Sequence, residues 1–181
     1  RPKKSGATRI VLAPRAHLKA AQRWILRSIL DRLEPSPSTH GFRRGRSPAT
    51  HAAAHVGRDV VLQWDLQAFF HQFTLKHVTG FFCRLGYPPR VARALGLLTT
   101  APVPYMARSL AKQAGVSARD VLDGTAQASG THHPMLPQGA PTSPALANLL
   151  SRTLDARLDG LARKFGGTYT RYADDCAMSG G

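Results

Sequence analysis

Two adjacent carboxylates, Asp174 and Asp175, lie near the end of this 181-residue sequence, between two short segments with the composition of β-strands. The pair is therefore predicted to lie at the turn of a β-hairpin. A third carboxylate, Asp65, ends an apolar run at 60–65, which is predicted to be a strand buried on both faces. If one sheet contains these strands, the three carboxylates could together bind the pair of divalent ions, about 3.5–4 Å apart, that two-metal phosphoryl transfer requires.

The types of potential metal ligand in the sequence favour magnesium over zinc. Mg²⁺ prefers oxygen ligands, which three aspartates supply. Cys83 and Cys176 are too far apart in sequence for a Cys-x-x-Cys site and are predicted to be free thiols in a reducing compartment. His51 and His55 could share a helical face, but no third ligand is evident, so surface or capping roles are expected for them.

The charge of the chain is strongly basic and unevenly distributed. The formal net charge is +15, and the residues up to Arg46 contain twelve Lys or Arg against only Asp31 and Glu34. Such one-sided clustering is typical of a surface that binds a nucleic acid, although a solvated basic face would have the same composition. The N-terminal quarter is therefore predicted to hold a polyanion.

Nothing in the sequence predicts a membrane partner. The longest apolar runs are broken well short of the roughly 20 residues that a membrane-spanning helix needs, and no secretory signal opens the chain. A soluble, cytoplasmic protein with a real hydrophobic core is expected.

Hydrophobic periodicity and the positions of Pro and Gly predict a mixture of helices and strands that would position these residues. Strands are predicted at 8–12, 60–65, 168–173 and 176–179. Helices are predicted at 18–33, 49–56, 75–85, 89–98 and 145–165, with a possible further helix at 105–122 followed by a small, polar stretch at 124–133.

Three sequence blocks occur in a characteristic order. The Tyr-Ala-Asp-Asp sequence at 172–175 is preceded by Leu-Pro-Gln-Gly-Ala-Pro-Thr-Ser-Pro at 136–144 and by Trp-Asp-Leu-Gln-Ala-Phe-Phe at 64–70. Together they resemble the catalytic blocks of reverse transcriptases. The Gly-Phe-Arg-Arg-Gly-Arg-Ser sequence at 41–47 and the Lys-rich opening are similar to the fingers blocks of bacterial members. Residues 138–148 most resemble retron-type enzymes, and group II intron enzymes are similar but more distant.

The resemblance implies an α+β fold of the right-hand polymerase type. Residues 1–56 would form a fingers-like N-terminal region, and residues 57–181 a palm whose split βαβ sheet carries the aspartates. A possible insertion would lie at about 100–135. Because relatives continue into a thumb that grips the primer and template, the chain is expected to be a fingers-palm fragment with the thumb absent.

The resemblance also implies roles for individual residues. Asp65, Asp174 and Asp175 would bind two Mg²⁺ ions, with the backbone carbonyl of Leu66 as an additional ligand. Phe70 would be the steric gate that excludes a 2′-hydroxyl from the nucleotide site.

Further residues would contact the nucleotide and the nucleic acid. Gln138 would contact the incoming nucleotide and Gly139 would permit close backbone approach. Arg9, with Lys4 or Lys3, would clamp the triphosphate. An arginine cluster, Arg43, Arg44 and Arg46, would contact the template or a structured RNA, a role that any solvated arginine cluster could imitate. Many relatives carry a carboxylate three positions after the first catalytic Asp, where this chain has Ala68.

These implications predict an RNA-directed DNA polymerase that adds deoxynucleotides to a primer 3′-hydroxyl. The resemblance implies several partners: an RNA template and primer, a deoxynucleoside triphosphate, a dedicated structured noncoding RNA, and an effector protein for phage defence. Two alternatives remain open at this point. One is a related palm polymerase that uses DNA or no template, and the other is a basic RNA-binding module without catalysis.

Overall fold

A computed structural model describes residues 11–103, 106, 109, 112, 113 and 133–181. The strand predicted at 8–12, the helix at 105–122, the polar stretch at 124–133 and the possible insertion lie wholly or largely outside these residues. The chain divides into two compact units. One, the helical unit, combines Arg1–Leu30 with Phe70–Ser143, and the other, the sheet unit, combines Asp31–Phe69 with Pro144–Gly181.

The described residues of the helical unit include the amphipathic helices α1 (Ala16–Ser28), α3 (Leu75–Arg84) and α4 (Pro89–Thr99). Pro89 is the first residue of α4, a position where the backbone N–H has no partner within the helix, so the N–H that proline lacks is not needed there. The predicted break between 85 and 89 is confirmed. Val78, Phe82 and Ala92 are completely buried between α3 and α4. Gln22 of α1 donates a hydrogen bond to the carbonyl of Leu98, 2.8 Å away, and this bond links α1 to α4.

The sheet unit contains a three-stranded antiparallel sheet of β1 (Val60–Asp65), β2 (Thr168–Tyr172) and β3 (Asp175–Gly180) in the order β1-β3-β2. The short helix α2 (Pro48–Ala53) begins with a capping box and contacts β2. Two more helices, α5 (Ser143–Leu150) and α6 (Arg152–Lys164), precede the hairpin. Ala162 of α6 packs against Tyr169 and Cys176, and the Tyr169 ring stacks on Trp64.

Two sequence predictions about these elements are wrong. β1 was expected to be buried on both faces, but it is an edge strand, and Val60 and Leu62 are 57% and 60% exposed. An apolar composition does not distinguish a central strand from an edge strand, because the position in the sheet depends on long-range pairing. The single helix expected at 145–165 is interrupted at Ser151, whose ψ of −4° departs from helical geometry.

The α+β class is confirmed, because the described residues combine helices with one antiparallel sheet. No helix within the described ranges is both long enough and apolar enough to cross a bilayer.

Candidate active site

The register of the sheet brings Asp65 directly opposite Asp175. In the β1–β3 ladder these two residues are partners, and Asp175 also pairs with Tyr172 of β2 on its other side. Directly opposed residues of an antiparallel pair have Cα atoms about 4.5–5.5 Å apart and side chains on the same face. The Leu66 N–H donates to the carbonyl of Asp174, 2.9 Å away, so the three aspartates and Leu66 meet at one end of the sheet.

Two carboxylates that face each other across a ladder repel one another, and a cation between them would relieve that repulsion. Both Asp65 and Asp175 are exposed, so solvent and a ligand can reach them. Within the part of the chain that the structure describes, no three His, Cys, Asp or Glu side chains converge into a preassembled metal centre. The donor set still fits Mg²⁺, which proteins usually bind through one or two carboxylates, with water and substrate phosphates as the other ligands.

Asp174 lies in a tight two-residue connection between β2 and β3, and the other residue of that connection is Ala173. Ala173 has a φ of +57°. Two-residue hairpin turns of the primed types need a positive φ at the first central position, where glycine is preferred. For an alanine this conformation costs about 1–2 kcal/mol. The turn that carries Asp174 is therefore strained, and its surroundings must stabilise it.

Two histidines support the hairpin from the α2 side. His51 Nδ1 and His55 Nε2 each lie 2.7 Å from the Thr170 hydroxyl, and His55 Nδ1 lies 2.7 Å from the Ser179 hydroxyl. Burial lowers the pKa of both rings, an effect that the charge of Asp175 partly offsets at His51. The expected surface or capping role is wrong for His55, which is buried. The i, i+4 spacing of the two histidines was visible in the sequence, but nothing in the sequence showed that the hydroxyls of Thr170 and Ser179 would face them.

Three of the residues expected to contact the nucleotide, Phe70, Gln138 and Gly139, belong to the helical unit. Phe70 is half-buried in the 3₁₀ helix Phe69–Gln72. Gln138 is half-buried, and its carbonyl accepts a 2.7 Å hydrogen bond from the Leu12 N–H. The predicted roles of Phe70 and Gln138 remain predictions.

Gly139 does permit a close backbone approach, and the structure shows that approach to be made by the chain itself. Its φ is +105°, and a Cβ atom there would lie 2.7 Å from the Val11 side chain and 3.0 Å from the Leu12 carbonyl. Lys4 and Arg9 lie outside the described residues. The positions of these two cations therefore stay sequence-based expectations.

The arginine cluster has both internal and outward-facing members. Arg43 donates to the Ser36 carbonyl at 3.0 Å and forms an ion pair with Glu34 at 3.1 Å. Arg46 donates to His40 Nε2 at 3.3 Å, and Arg44 and Arg46 are both exposed. Contact of this cluster with a nucleic acid remains a prediction.

Arg171 and Asp155 form a buried ion pair that was not predicted from the sequence. Arg171 Nε lies 2.7 Å from Asp155 Oδ1, and both side chains are fully buried. Burial by itself would lower the pKa of Arg171, but the hydrogen bonds and the negative charge of Asp155 raise it, so the guanidinium stays charged. The available signal was an arginine inside a predicted strand beside the aspartate pair, in a position where a charge needs a partner.

Comparison with known proteins identifies relatives over almost the whole chain. Residues 1–180 match the profile of the family described as reverse transcriptase (RNA-dependent DNA polymerase). The chain is 44% identical to retron Mx65 reverse transcriptase and 41% identical to retron Mx162 reverse transcriptase, both from Myxococcus xanthus. It is 35% identical to retron Ec86 reverse transcriptase from Escherichia coli.

These similarities cover 99%, 98% and 94% of the chain but only 39%, 34% and 44% of the respective relatives. The chain thus spans roughly two-fifths of the length of the curated relatives that it matches.

Proposed function

The chain belongs to the reverse transcriptase family, and from that premise we propose that it is the carboxylate-bearing part of a retron-type RNA-directed DNA polymerase. The reaction is attack of a primer 3′-hydroxyl on the α-phosphorus of a deoxynucleoside triphosphate, directed by an RNA template. The new phosphodiester bond forms as the bond to pyrophosphate breaks.

The observation that carries this proposal is the pairing of Asp65 with Asp175 across β1 and β3, with Asp174 in the adjoining turn. Asp65 is 110 residues away from Asp175 in the sequence, yet their carboxylates share one exposed end of one sheet. A purely structural sheet gains nothing from opposing two like charges there. A site for divalent cations and phosphates explains the arrangement.

We assign Asp65, Asp174 and Asp175 as the residues that would hold two Mg²⁺ ions, with the Leu66 carbonyl as an additional ligand. When bound, such ions lower the pKa of the attacking hydroxyl and neutralise charge on the leaving oxygen. The protein's own contribution is alignment and fixed charge. The rigid ladder holds Asp65 and Asp175 in register, and the turn presents Asp174 beside them.

Residues 57–181 would carry the palm-like function, and residues 1–56 the fingers-like function. Phe70 would exclude the 2′-hydroxyl of a ribonucleotide, and Gln138 and Gly139 would contact the incoming nucleotide. Lys4 and Arg9 would bind its triphosphate. The exposed Arg44, with Arg43 and Arg46, would contact phosphates of the template or a structured RNA.

We also propose the partners that a retron-type enzyme would need. The relatives bear the name retron reverse transcriptase, and by analogy this protein would act on a dedicated structured noncoding RNA in the cytoplasm. An effector protein in phage defence would complete the system. The basic charge of the chain, +15 overall, supports the RNA part of this proposal.

The test compares Asp175→Ala with Asp159→Ala in the full-length protein. Asp159 is a matched control because its partly exposed ion pair with Arg163 lies on α6, outside the proposed site. Asp175→Ala should reduce Mg²⁺-dependent incorporation on an RNA template by about a hundredfold or more, while RNA binding changes little. Asp159→Ala should retain both activities.

Three outcomes would contradict the proposal. Retained incorporation in Asp175→Ala would remove the assigned role of the carboxylate. Preference of the unmodified protein for a DNA template, or for none, would favour a different palm polymerase. Salt-dependent RNA binding without any Mg²⁺-dependent incorporation would favour an inactive RNA-binding module.

A further inference from the structure

The guanidinium of Arg171 contacts the strained turn that carries the aspartate pair. Arg171 Nη1 donates a 2.8 Å hydrogen bond to the carbonyl of Ala173, the residue with the positive φ. That carbonyl belongs to the peptide that leads directly into Asp174. The bond therefore acts on the backbone orientation from which both carboxylates project.

All five N–H groups of Arg171 are used. Besides the bond to Ala173, Nη1 donates to Asn148 Oδ1 at 3.3 Å, and Nη2 donates to Thr39 Oγ1 at 3.2 Å. Nε and Nη2 donate to the two carboxylate oxygens of Asp155, at 2.7 and 2.8 Å. A guanidinium has five donors in a fixed planar fork, so this set of partners fixes its position and its plane.

The acceptors of Arg171 are themselves held in place. Asp155, on α6, also accepts hydrogen bonds from the Thr39 hydroxyl at 3.1 Å and the Tyr169 hydroxyl at 3.2 Å. Asn148, on α5, donates a 2.9 Å hydrogen bond to the Gly41 carbonyl. The network that surrounds Arg171 thus connects two helices to the segment around 39–41.

The segment around 39–41 touches the turn directly as well. The Arg171 N–H donates to the Ser38 carbonyl at 2.8 Å, and the His40 N–H donates to the Arg171 carbonyl at 2.7 Å, which extends the sheet by one short bridge. A Cβ atom at Gly41 would lie only 2.4 Å from the backbone nitrogen of Ala173. The turn is therefore held both by the side chain of Arg171 and by the close approach of the Gly41 backbone.

We propose that Arg171 is a positioning residue for the metal-binding turn, which acts through the Ala173 carbonyl to hold Asp174 and Asp175 in the orientation that binds metal ions. This inference rests on the proposed function. Lysine keeps the positive charge but cannot donate to Asp155, Thr39, Asn148 and Ala173 at once, because its compact ammonium group has only three donors, on a flexible stem. Arg171→Lys is therefore expected to preserve charge while loosening the turn.

The experiment uses the full-length protein and measures metal affinity in two ways. The first readout is the Mg²⁺ concentration that gives half-maximal incorporation on an RNA template, and the second is direct binding of Mn²⁺ without nucleotide, followed by electron paramagnetic resonance. Loss of a residue that orients metal ligands typically weakens metal affinity or activity by about 10–100-fold. Arg171→Lys should shift both readouts by about tenfold, while RNA binding stays within about twofold.

Arg163→Lys is the matched control. Arg163 pairs with Asp159 on the same helix that carries Asp155, but its side chain is 74% exposed and it does not belong to the Arg171 network. Both metal readouts should be unchanged in this variant. A general weakening of the fold, without a positioning role, would lower thermal stability in Arg171→Lys but leave its metal affinity unchanged.

A second variant covers the case in which Arg171→Lys does not fold. Thr39→Val removes the hydroxyl that bonds both Arg171 and Asp155 while keeping the shape of the side chain, and it should weaken metal affinity by a few-fold in the same direction. Wild-type metal affinity in a folded Arg171→Lys, or in Thr39→Val if that alone folds, overturns the inference. Failure of the proposed function looks different, because Asp175→Ala would then match the unmodified protein in incorporation.

Discussion

Replacing Asp155 by asparagine should destabilise the protein strongly, because it leaves the Arg171 guanidinium buried without a counter-charge. The Asp155 carboxylate accepts four hydrogen bonds: two from Arg171, one from Thr39 and one from Tyr169. Asparagine retains one acceptor oxygen and places an NH₂ group where the other acceptor stood. Since both charged side chains are 0% exposed, screening by solvent does not reduce the effect.

Breaking one side of a buried pair costs about 3–5 kcal/mol. Native proteins are stable by about 5–15 kcal/mol, so this change removes a large part of the total. Asp159→Asn on the same helix is the comparison, because its ion pair with Arg163 is partly exposed, with Arg163 at the surface, and such surface pairs contribute at most about 1 kcal/mol.

The assay is urea-induced equilibrium unfolding of the full-length protein, with the two variants measured beside the unmodified chain. The change should appear as a lower midpoint at an unchanged slope, which identifies a loss of stability and not a change in the surface exposed on unfolding. A loss below about 1 kcal/mol in Asp155→Asn, or one equal to that of Asp159→Asn, would refute the reasoning. Either result would mean that the buried charge of Arg171 is not left uncompensated when the side chain at position 155 is neutral.

Two further predictions concern the segment around 39–41. His40 accepts from Arg46 at Nε2, which requires a neutral ring, and burial together with the nearby Arg46 lowers its pKa from 6.5 to about 4. Because the unfolded chain binds a proton near pH 6.5 that the native state binds only near pH 4, stability should fall by roughly 3 kcal/mol between pH 7 and pH 4. His40→Gln should flatten this dependence in urea titrations at each pH, and an unchanged slope would contradict it. Gly41→Ala should lower RNA-templated incorporation about tenfold and destabilise by about 1–3 kcal/mol, because its Cβ would collide with the Ala173 backbone. Gly160→Ala, in open space on α6, should instead stabilise by about 0.5–1 kcal/mol, and equal effects of the two alanines would exclude the steric argument.

Local patterns predicted most elements of the fold. The helices at 75–85 and 89–98 and the hairpin around 174 were recognisable because hydrophobic periodicity and proline act over a few residues. The edge position of β1 was not recognisable, since an apolar strand at the edge of a sheet and one in its centre have the same composition. The interruption at Ser151 also escaped, because nothing in the local sequence distinguishes Ser151 as a break.

The family and the three candidate aspartates could be recognised from the sequence alone, since catalytic chemistry needs particular residue types in a particular order. How the aspartates meet could be seen only in the folded protein, because the register that opposes Asp65 and Asp175 depends on pairing between strands far apart in the chain. The same holds for Arg171, whose five acceptors come from four separate segments. A buried charge has no local signature, because its partners are brought to it only when the chain folds.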